Sequence, residues 1–197
     1  MAPRYGLAIS VLLAATAVAG CGDAQSVAPR STPALKQVEW MGMRLSIPEG
    51  WNLRADGEGF ACFQAPGKGD CAKGNEVLRV SLVGGEYSAW PSERLDERTG
   101  WAAGDPPYCM AAGSKETDFA DHGGARIAAK ETVTLADGRK AAYREWAVPC
   151  QNGSKFSTKV WYVADVRVAF YTLDADPALG AIQKAIVASA DMRRFKR

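Results

Sequence analysis

Residues 126–173 carry four strand patterns in succession, and few folds accommodate that. "RIAAKETVTL" (126–135) and "RKAAYREWAV" (139–148) flank Ala136-Asp137-Gly138. Runs rich in β-branched and aromatic residues, separated by a short link with Asp-Gly, mark a hairpin. "KFSTKVWYVA" (155–164) and "VRVAFYTL" (166–173) follow, joined tightly near Asp165. Consecutive strands with short links pair with their neighbours in space, so these four should form an antiparallel meander.

Earlier segments extend the sheet. Gly59–Ala65 and Glu76–Val83 read as two strands closing a hairpin around "PGKGDCAKG" (66–74). "VEWMGMRLSI" (38–47) places Met41, Met43, Leu45 and Ile47 on alternate positions, the pattern of one half-buried strand. Pro48 and Gly50 break it, and Trp51 restarts it. The clearest helix is C-terminal. Asp176 suits its cap and Pro177 its first position. Leu179, Ile182 and Ile186 share a face that Ala185, Ser189 and Ala190 continue. A short helix is also expected over residues 92–98. "TGWAAGDPPYCMAAGS" (99–114) reads as a surface excursion held by Cys109. The expected fold class is α+β, an antiparallel β-sheet with a packed C-terminal helix, in one domain of residues 37–197.

The N-terminus has a different character. Arg4 precedes "YGLAISVLLAATAVAG" (5–20), which carries no charge. That is the layout of a secretory signal. It falls short of the roughly 20 apolar residues that span a bilayer. The run ends in Val18-Ala19-Gly20-Cys21, which resembles the bacterial lipobox. The resemblance implies that residues 1–20 are a lipoprotein signal peptide. It also implies a diacylglyceryl group on the Cys21 thiol, cleavage before Cys21, and acylation of the new amine. One acyl chain anchors a protein marginally, and two or more anchor it stably. Residues 21–36, small, polar and proline-punctuated, then form the lipidated N-terminus and a flexible tether with a root-mean-square reach of ~20 Å.

With Cys21 a lipid attachment point, Cys62, Cys71, Cys109 and Cys150 remain of the five cysteines. An even number outside the cytosol suggests two disulfides. Of three connectivities, Cys62–Cys71 with Cys109–Cys150 is favoured, because Cys62 and Cys71 flank a Pro/Gly turn that brings neighbouring strands together. Loop-closure entropy assigns such bridges roughly 2.7 and 4 kcal/mol.

Charge narrows the function. The chain has 24 basic and 22 acidic side chains, and loss of Arg4 leaves it almost neutral. A nucleic-acid binder shows a concentrated basic stripe instead. The densest basic stretch, "MRRFKR" (192–197), reads as a solvated tail. The single histidine, His122, sits beside Asp121 in "FADHGGARI", a polar turn. There is no C-x-x-C pair for zinc and no G-x-S-x-G elbow for an activated serine. "PGKGDCAKG" lacks the phosphate-loop spacing. The aspartates of "DADPALG" (174–180) fit helix capping better than a calcium loop. No catalytic residue, cofactor or metal is therefore expected. Trp40, Trp51, Trp146 and Trp161 read as core. Trp90, Trp101 and Tyr108 fall in or near the excursion and form the candidate binding surface, where rings can stack on sugars or anchor a protein.

"SIPEGW" (46–51) together with "AIQKAIVAS" (181–189) resembles the PsbP/Mog-like α/β/α sandwich, shared by photosystem PsbP subunits and by actinobacterial lipoproteins of the LpqN type. The chain departs from that pattern in its disulfides and its long 99–114 loop. The resemblance implies an assembly or accessory role without a shared catalytic set. The expected function is that of a membrane-anchored cell-envelope lipoprotein on the extracytoplasmic face. It would be a non-catalytic binding or accessory domain with an envelope protein or glycan as partner and no nucleic acid. The alternatives are an envelope hydrolase using His122, and a small-ligand sensor with an apolar pocket between the sheet and the C-terminal helix.

Overall fold

The computed structural model describes residues 34–55, 59–67, 71, 76–84, 95–96, 124–172 and 177–196. Among the described residues, nine strands lie in this order: β1 (Leu35–Trp40), β2 (Met43–Pro48), β3 (Asn52–Ala55), β4 (Phe60–Gln64), β5 (Glu76–Leu82), β6 (Arg126–Thr134), β7 (Lys140–Pro149), β8 (Lys155–Val163) and β9 (Val168–Tyr171). A 3-10 turn (Pro177–Leu179) leads into the helix α1 (Gly180–Ala188). The strands β1 and β2 form a two-stranded sheet. The others form a seven-stranded sheet in the order β3-β4-β5-β9-β8-β7-β6. Every pairing in both sheets is antiparallel. The expected meander is present as β6-β7-β8-β9, and β4 and β5 make the expected hairpin. The α+β class holds, and among the described residues the α-helix lies on one face of the large sheet only.

Residue parity sorts the large sheet into two buried faces. One face carries Ala61, Phe63, Leu78, Val80, Ala141, Tyr143, Trp161, Val163, Val168 and Phe170, and it packs on β1, β2 and α1. The other carries Val83, Ala125, Trp146, Val148, Val160, Tyr162, Ala169 and Tyr171, with Leu95 against them. The four core tryptophans behave as expected, each no more than 8% exposed. The edges are defended. β3 has four residues, and β6 carries Arg126, Lys130 and Glu131. Short or charged edge strands discourage pairing with another chain.

Three expectations about element boundaries are corrected. Residues 38–47 are not one strand. The chain reverses at Met41-Gly42, with φ of 50° and 80°, so Trp40 pairs with Met43. Two successive positive φ values define the tight turn whose twist suits a hairpin. Met41 is a costly residue there. Its carbonyl accepts the Lys196 N–H at 2.9 Å, so the C-terminal segment helps to hold the turn. The strand β1 begins at Leu35, inside the stretch assigned to the tether. The α-helix begins at Gly180, three residues after Pro177, with Leu179 as a cap that makes no side-chain hydrogen bond. Asp176 lies outside the described residues, as do most of the expected helix at 92–98 and the 99–114 excursion.

The basic C-terminus is not a free tail. Its charged ends face solvent, but Met192 is buried and Phe195 stacks near Trp40 at 6.1 Å. Arg44 and Asp191 exchange backbone hydrogen bonds of 3.0 and 2.9 Å, and their side chains pair at 2.6 Å. Asp137, in the β6–β7 turn, fixes the other side of this segment. Its fully buried carboxylate accepts the Met192 N–H at 2.8 Å, the Arg139 N–H at 3.1 Å and the Arg139 guanidinium. Burial alone would raise the Asp137 pKa. The backbone N–H groups of Arg139 and Met192 and the guanidinium outweigh it and hold the carboxyl below its ordinary value. Asp191 is held low by hydrogen bonds from Arg193 first and then from Arg44.

Helix α1 closes on the same hairpin. Ser189 Oγ accepts the Ser46 N–H at 2.8 Å and donates to the Ile186 carbonyl at 2.6 Å. Beside it, Pro48 ends β2 and Gly50, at φ 83°, turns the chain so that Trp51 is buried.

Two predictions follow from this clamp. A Cβ on Gly42 would stand 2.1 Å from the Arg194 carbonyl oxygen, whereas one on Gly138, also at positive φ, meets nothing within 4 Å. Gly42→Ala should therefore cost about 3 kcal/mol in urea unfolding, and Gly138→Ala about 1 kcal/mol, the difference being the clash. The Asp137 carboxyl, depressed on folding, contributes stability present above its unfolded value near 4 and lost as pH falls through its folded value. Asp137→Asn should cost about 2 kcal/mol at pH 7 and should flatten the acid limb of stability against pH, as followed by urea titration from pH 7 to 2.

Candidate functional site

Most residues proposed from sequence for recognition or chemistry, Trp90, Trp101, Tyr108, Asp121 and His122, lie outside the described residues. So do Cys21 and Cys109. The described part answers for three of the five cysteines. Cys62, buried on β4, is bonded to Cys71, with Cα atoms 5.8 Å apart. Cys150 is also disulfide-bonded. Around Cys71, the Arg79 guanidinium donates to the Cys71 carbonyl at 3.4 Å and lies 5.3 Å over the Phe60 ring. The bridge therefore packs with a half-buried arginine-aromatic pair at the β4–β5 end of the sheet.

Arg79 belongs to a cross-strand row running Cys62, Arg79, Tyr171, Val160, Arg144 and Lys130. Arg144 is 7% exposed and is satisfied locally. It donates to Asp96 at 2.7 Å and to the Tyr143 carbonyl at 2.7 Å. Asp96 also accepts from Lys130 at 2.8 Å. Hydrogen bonds from Arg144 first, then Lys130, lower the Asp96 pKa to about 2. This is a structural brace, with its charges already paired.

The helix-covered face holds a second polar group, which the sequence reading did not single out. Tyr143, Glu145, Ser157, Lys159 and Thr172 converge there from β7, β8 and the end of β9. The register sets Glu145 directly opposite Lys159. The Glu145 carboxylate nevertheless turns to hydroxyls, accepting from Tyr143 at 2.8 Å and from Ser157 at 2.7 Å. Burial first, then the bond to Glu145, pushes the Tyr143 phenol well above its ordinary value. Thr172 Oγ1 accepts the Lys159 N–H at 3.1 Å, and Lys159 returns its carbonyl to the Thr172 N–H at 2.9 Å. Helix α1 crosses this face, with Gln183 donating to the Val77 carbonyl at 3.1 Å and Lys184 pairing with Glu131 at 2.7 Å. The first residue of α1, Gly180, lies against the Lys159 amine.

A signal for this group was present in "KFSTKVWYV". Ser157, Lys159, Trp161 and Val163 share one parity, and the tryptophan and valine identify it as buried. Chemically, the group offers a cation, a carboxylate and three hydroxyls beside a helix start. Among the described residues there is no cluster of three or more His, Cys, Asp or Glu side chains placed for a metal. No helix among them is long and apolar enough to cross a membrane.

No family model matches the chain, and no curated protein matches it. A solved structure from Bacteroides thetaiotaomicron VPI-5482 is similar over 76% of this chain and 44% of that one, at 16% identity and a TM-score of 0.38. The chain thus spans less than half the length of that neighbour, and a likeness of this degree carries no argument.

The Tyr143–Glu145 bond yields a prediction. Glu145→Gln removes the charge that opposes phenolate formation and leaves the burial in place. Ultraviolet titration should show the Tyr143 midpoint falling toward, but staying above, the ordinary value near 10. A midpoint unchanged by the substitution would show that Glu145 does not act on the phenol.

Proposed function

We propose that the chain is a membrane-tethered, extracytoplasmic binding domain, held by acyl groups on Cys21 and folded as a PsbP/Mog-like sandwich. The observation that carries the reading is the Cys62–Cys71 disulfide, formed within the folded domain. Such bonds persist in oxidising compartments and are rare in the cytosol. The sequence supports the same location independently, through the uncharged run at residues 5–20 and Val18-Ala19-Gly20-Cys21. Cys150 is also bonded, and its pairing with Cys109 would leave Cys21 for the anchor.

On this reading the tether of residues 21–34 keeps the domain within a few tens of ångströms of the membrane, since such chains reach about 5–6 Å times the square root of their length. The domain acts by binding an envelope component and carries no catalytic set. Trp90, Trp101 and Tyr108 remain the proposed contact surface for a protein or glycan.

Metabolic labelling with a fatty-acid analogue tests the anchor. The native chain should be labelled and should sediment with membranes, and Cys21→Ala should be unlabelled and released. Label persisting on Cys21→Ala would overturn the assignment. Non-reducing peptide mapping should recover Cys62–Cys71 and Cys109–Cys150. A free thiol at Cys109 would refute the second pairing.

A further inference from the structure

The C-terminal segment and the β1–β2 turn together make a basic tip. Arg44, Arg193, Arg194 and Lys196 are exposed there, around the partly exposed side chains of Met41 and Phe195. Arg44 and Arg193 share one carboxylate, Asp191. Arg194 and Lys196 have no carboxylate partner among the described residues. Glu39 is exposed opposite Arg44 on β1. Asp137, beneath the segment, is fully buried and matched by Arg139. The exposed surface of the tip is therefore net positive. These cations do not hang on a loose tail. The Lys196 N–H donates to the Met41 carbonyl at 2.9 Å and the Phe195 N–H to the Met192 carbonyl at 3.1 Å, while the Phe195 ring lies 6.1 Å from Trp40. Little backbone entropy is left to lose when such a segment meets a surface.

We propose that this tip is a docking surface for anionic lipid headgroups and seats the tethered domain on its membrane. Charge complementarity selects the occupant. Each basic side chain near an anionic bilayer strengthens partitioning about fivefold. Partly exposed Met41 and Phe195 add apolar contact at the headgroup boundary. So few cations hold a free chain only weakly, so the tip sets the orientation of a domain that its acyl groups retain. The length of the tether agrees. The strand β1 places Leu35 about 17 Å from the turn, at roughly 3.4 Å per residue. Residues 21–34 have a root-mean-square reach of about 20 Å, so the turn can meet the membrane without the tether being stretched. The inference rests on the reading of the chain as membrane-tethered.

The test is methyl NMR of the purified mature protein on nanodiscs with gadolinium-chelating headgroups. One set of discs is phosphatidylcholine alone, and the other adds phosphatidylglycerol. The Met41 methyl should broaden about fivefold more on the anionic discs. The Ile127 methyl, beside Arg126 at the other end of the sheet, should show no such contrast. Raising the salt should remove the contrast, because the attraction is screened. Arg194→Gln combined with Lys196→Gln should remove it too, with the melting temperature unchanged, since neither side chain is ion-paired within the described residues. Arg126→Gln combined with Lys155→Gln takes the same charge from exposed positions that begin β6 and β8, and should keep it. Equal broadening on both compositions, broadening spread evenly over Met41 and Ile127, or a contrast retained in the tip variant would overturn the surface. Should the tip variant fail to fold, the native contrast between compositions and salts still decides. Fatty-acid label on Cys21 without the Met41 contrast removes the surface alone, and the contrast without the label removes the anchor alone.

Discussion

The large sheet is apolar on both sides, and the other described elements serve to cover it. In β8 the last six residues are all buried, and in β9 all four are. A strand buried on both faces loses the simple in-out alternation of a solvated sheet. One face is closed by the β1–β2 hairpin, α1 and the C-terminal segment. These covers are small, and each depends on the others. Asp137 pins the C-terminal segment to the β6–β7 turn, Arg44 and Asp191 pin it to β2, and Ser189 pins the end of α1 to the same strand. The edge of β2 thereby finds partners on both the helix and the tail.

That mutual dependence explains what the sequence could and could not say. The hairpin at Ala136-Asp137-Gly138 was legible, because its turn chemistry is local and its flanking strands are long. The reversal at Met41-Gly42 was not. Its residues lack the usual Asn-Gly or Asp-Gly signature, and the alternation of Met41, Met43, Leu45 and Ile47 continues through it. What supports the turn is the Met41 carbonyl bonded to Lys196, more than 150 positions away along the chain. The C-terminal residues misled for the same reason. "MRRFKR" is basic enough to read as solvated, but Met192 and Phe195 anchor it between charged neighbours that stay in water. The helix was placed correctly and its start was not, because Pro177 begins a 3-10 turn before the α-helix proper.

The candidate site shows the same division. Cys62 and Cys71 were legible through their position around a turn. Lys159 was hidden in a strand whose aromatic and branched residues dominate the pattern. Its place at the start of α1 appears only when Gly180 is brought beside it from 21 positions further along. The interior between sheet and helix is filled there by Trp161, Phe170, Leu78, Ile186 and Val187, so the polar group sits at the margin of a packed core. The binding role and its place outside the cytosol remain proposals, which the Cys62–Cys71 bridge and the N-terminal sequence support.

The most direct test is intact-mass and N-terminal peptide analysis of the mature protein isolated from its own membranes. The account predicts a chain that begins at Cys21, carries the mass of a diacylglyceryl group and amine acylation, and contains four cysteines locked in two bridges. A water-soluble mature chain beginning at another residue, with Cys21 removed or unmodified, would contradict it.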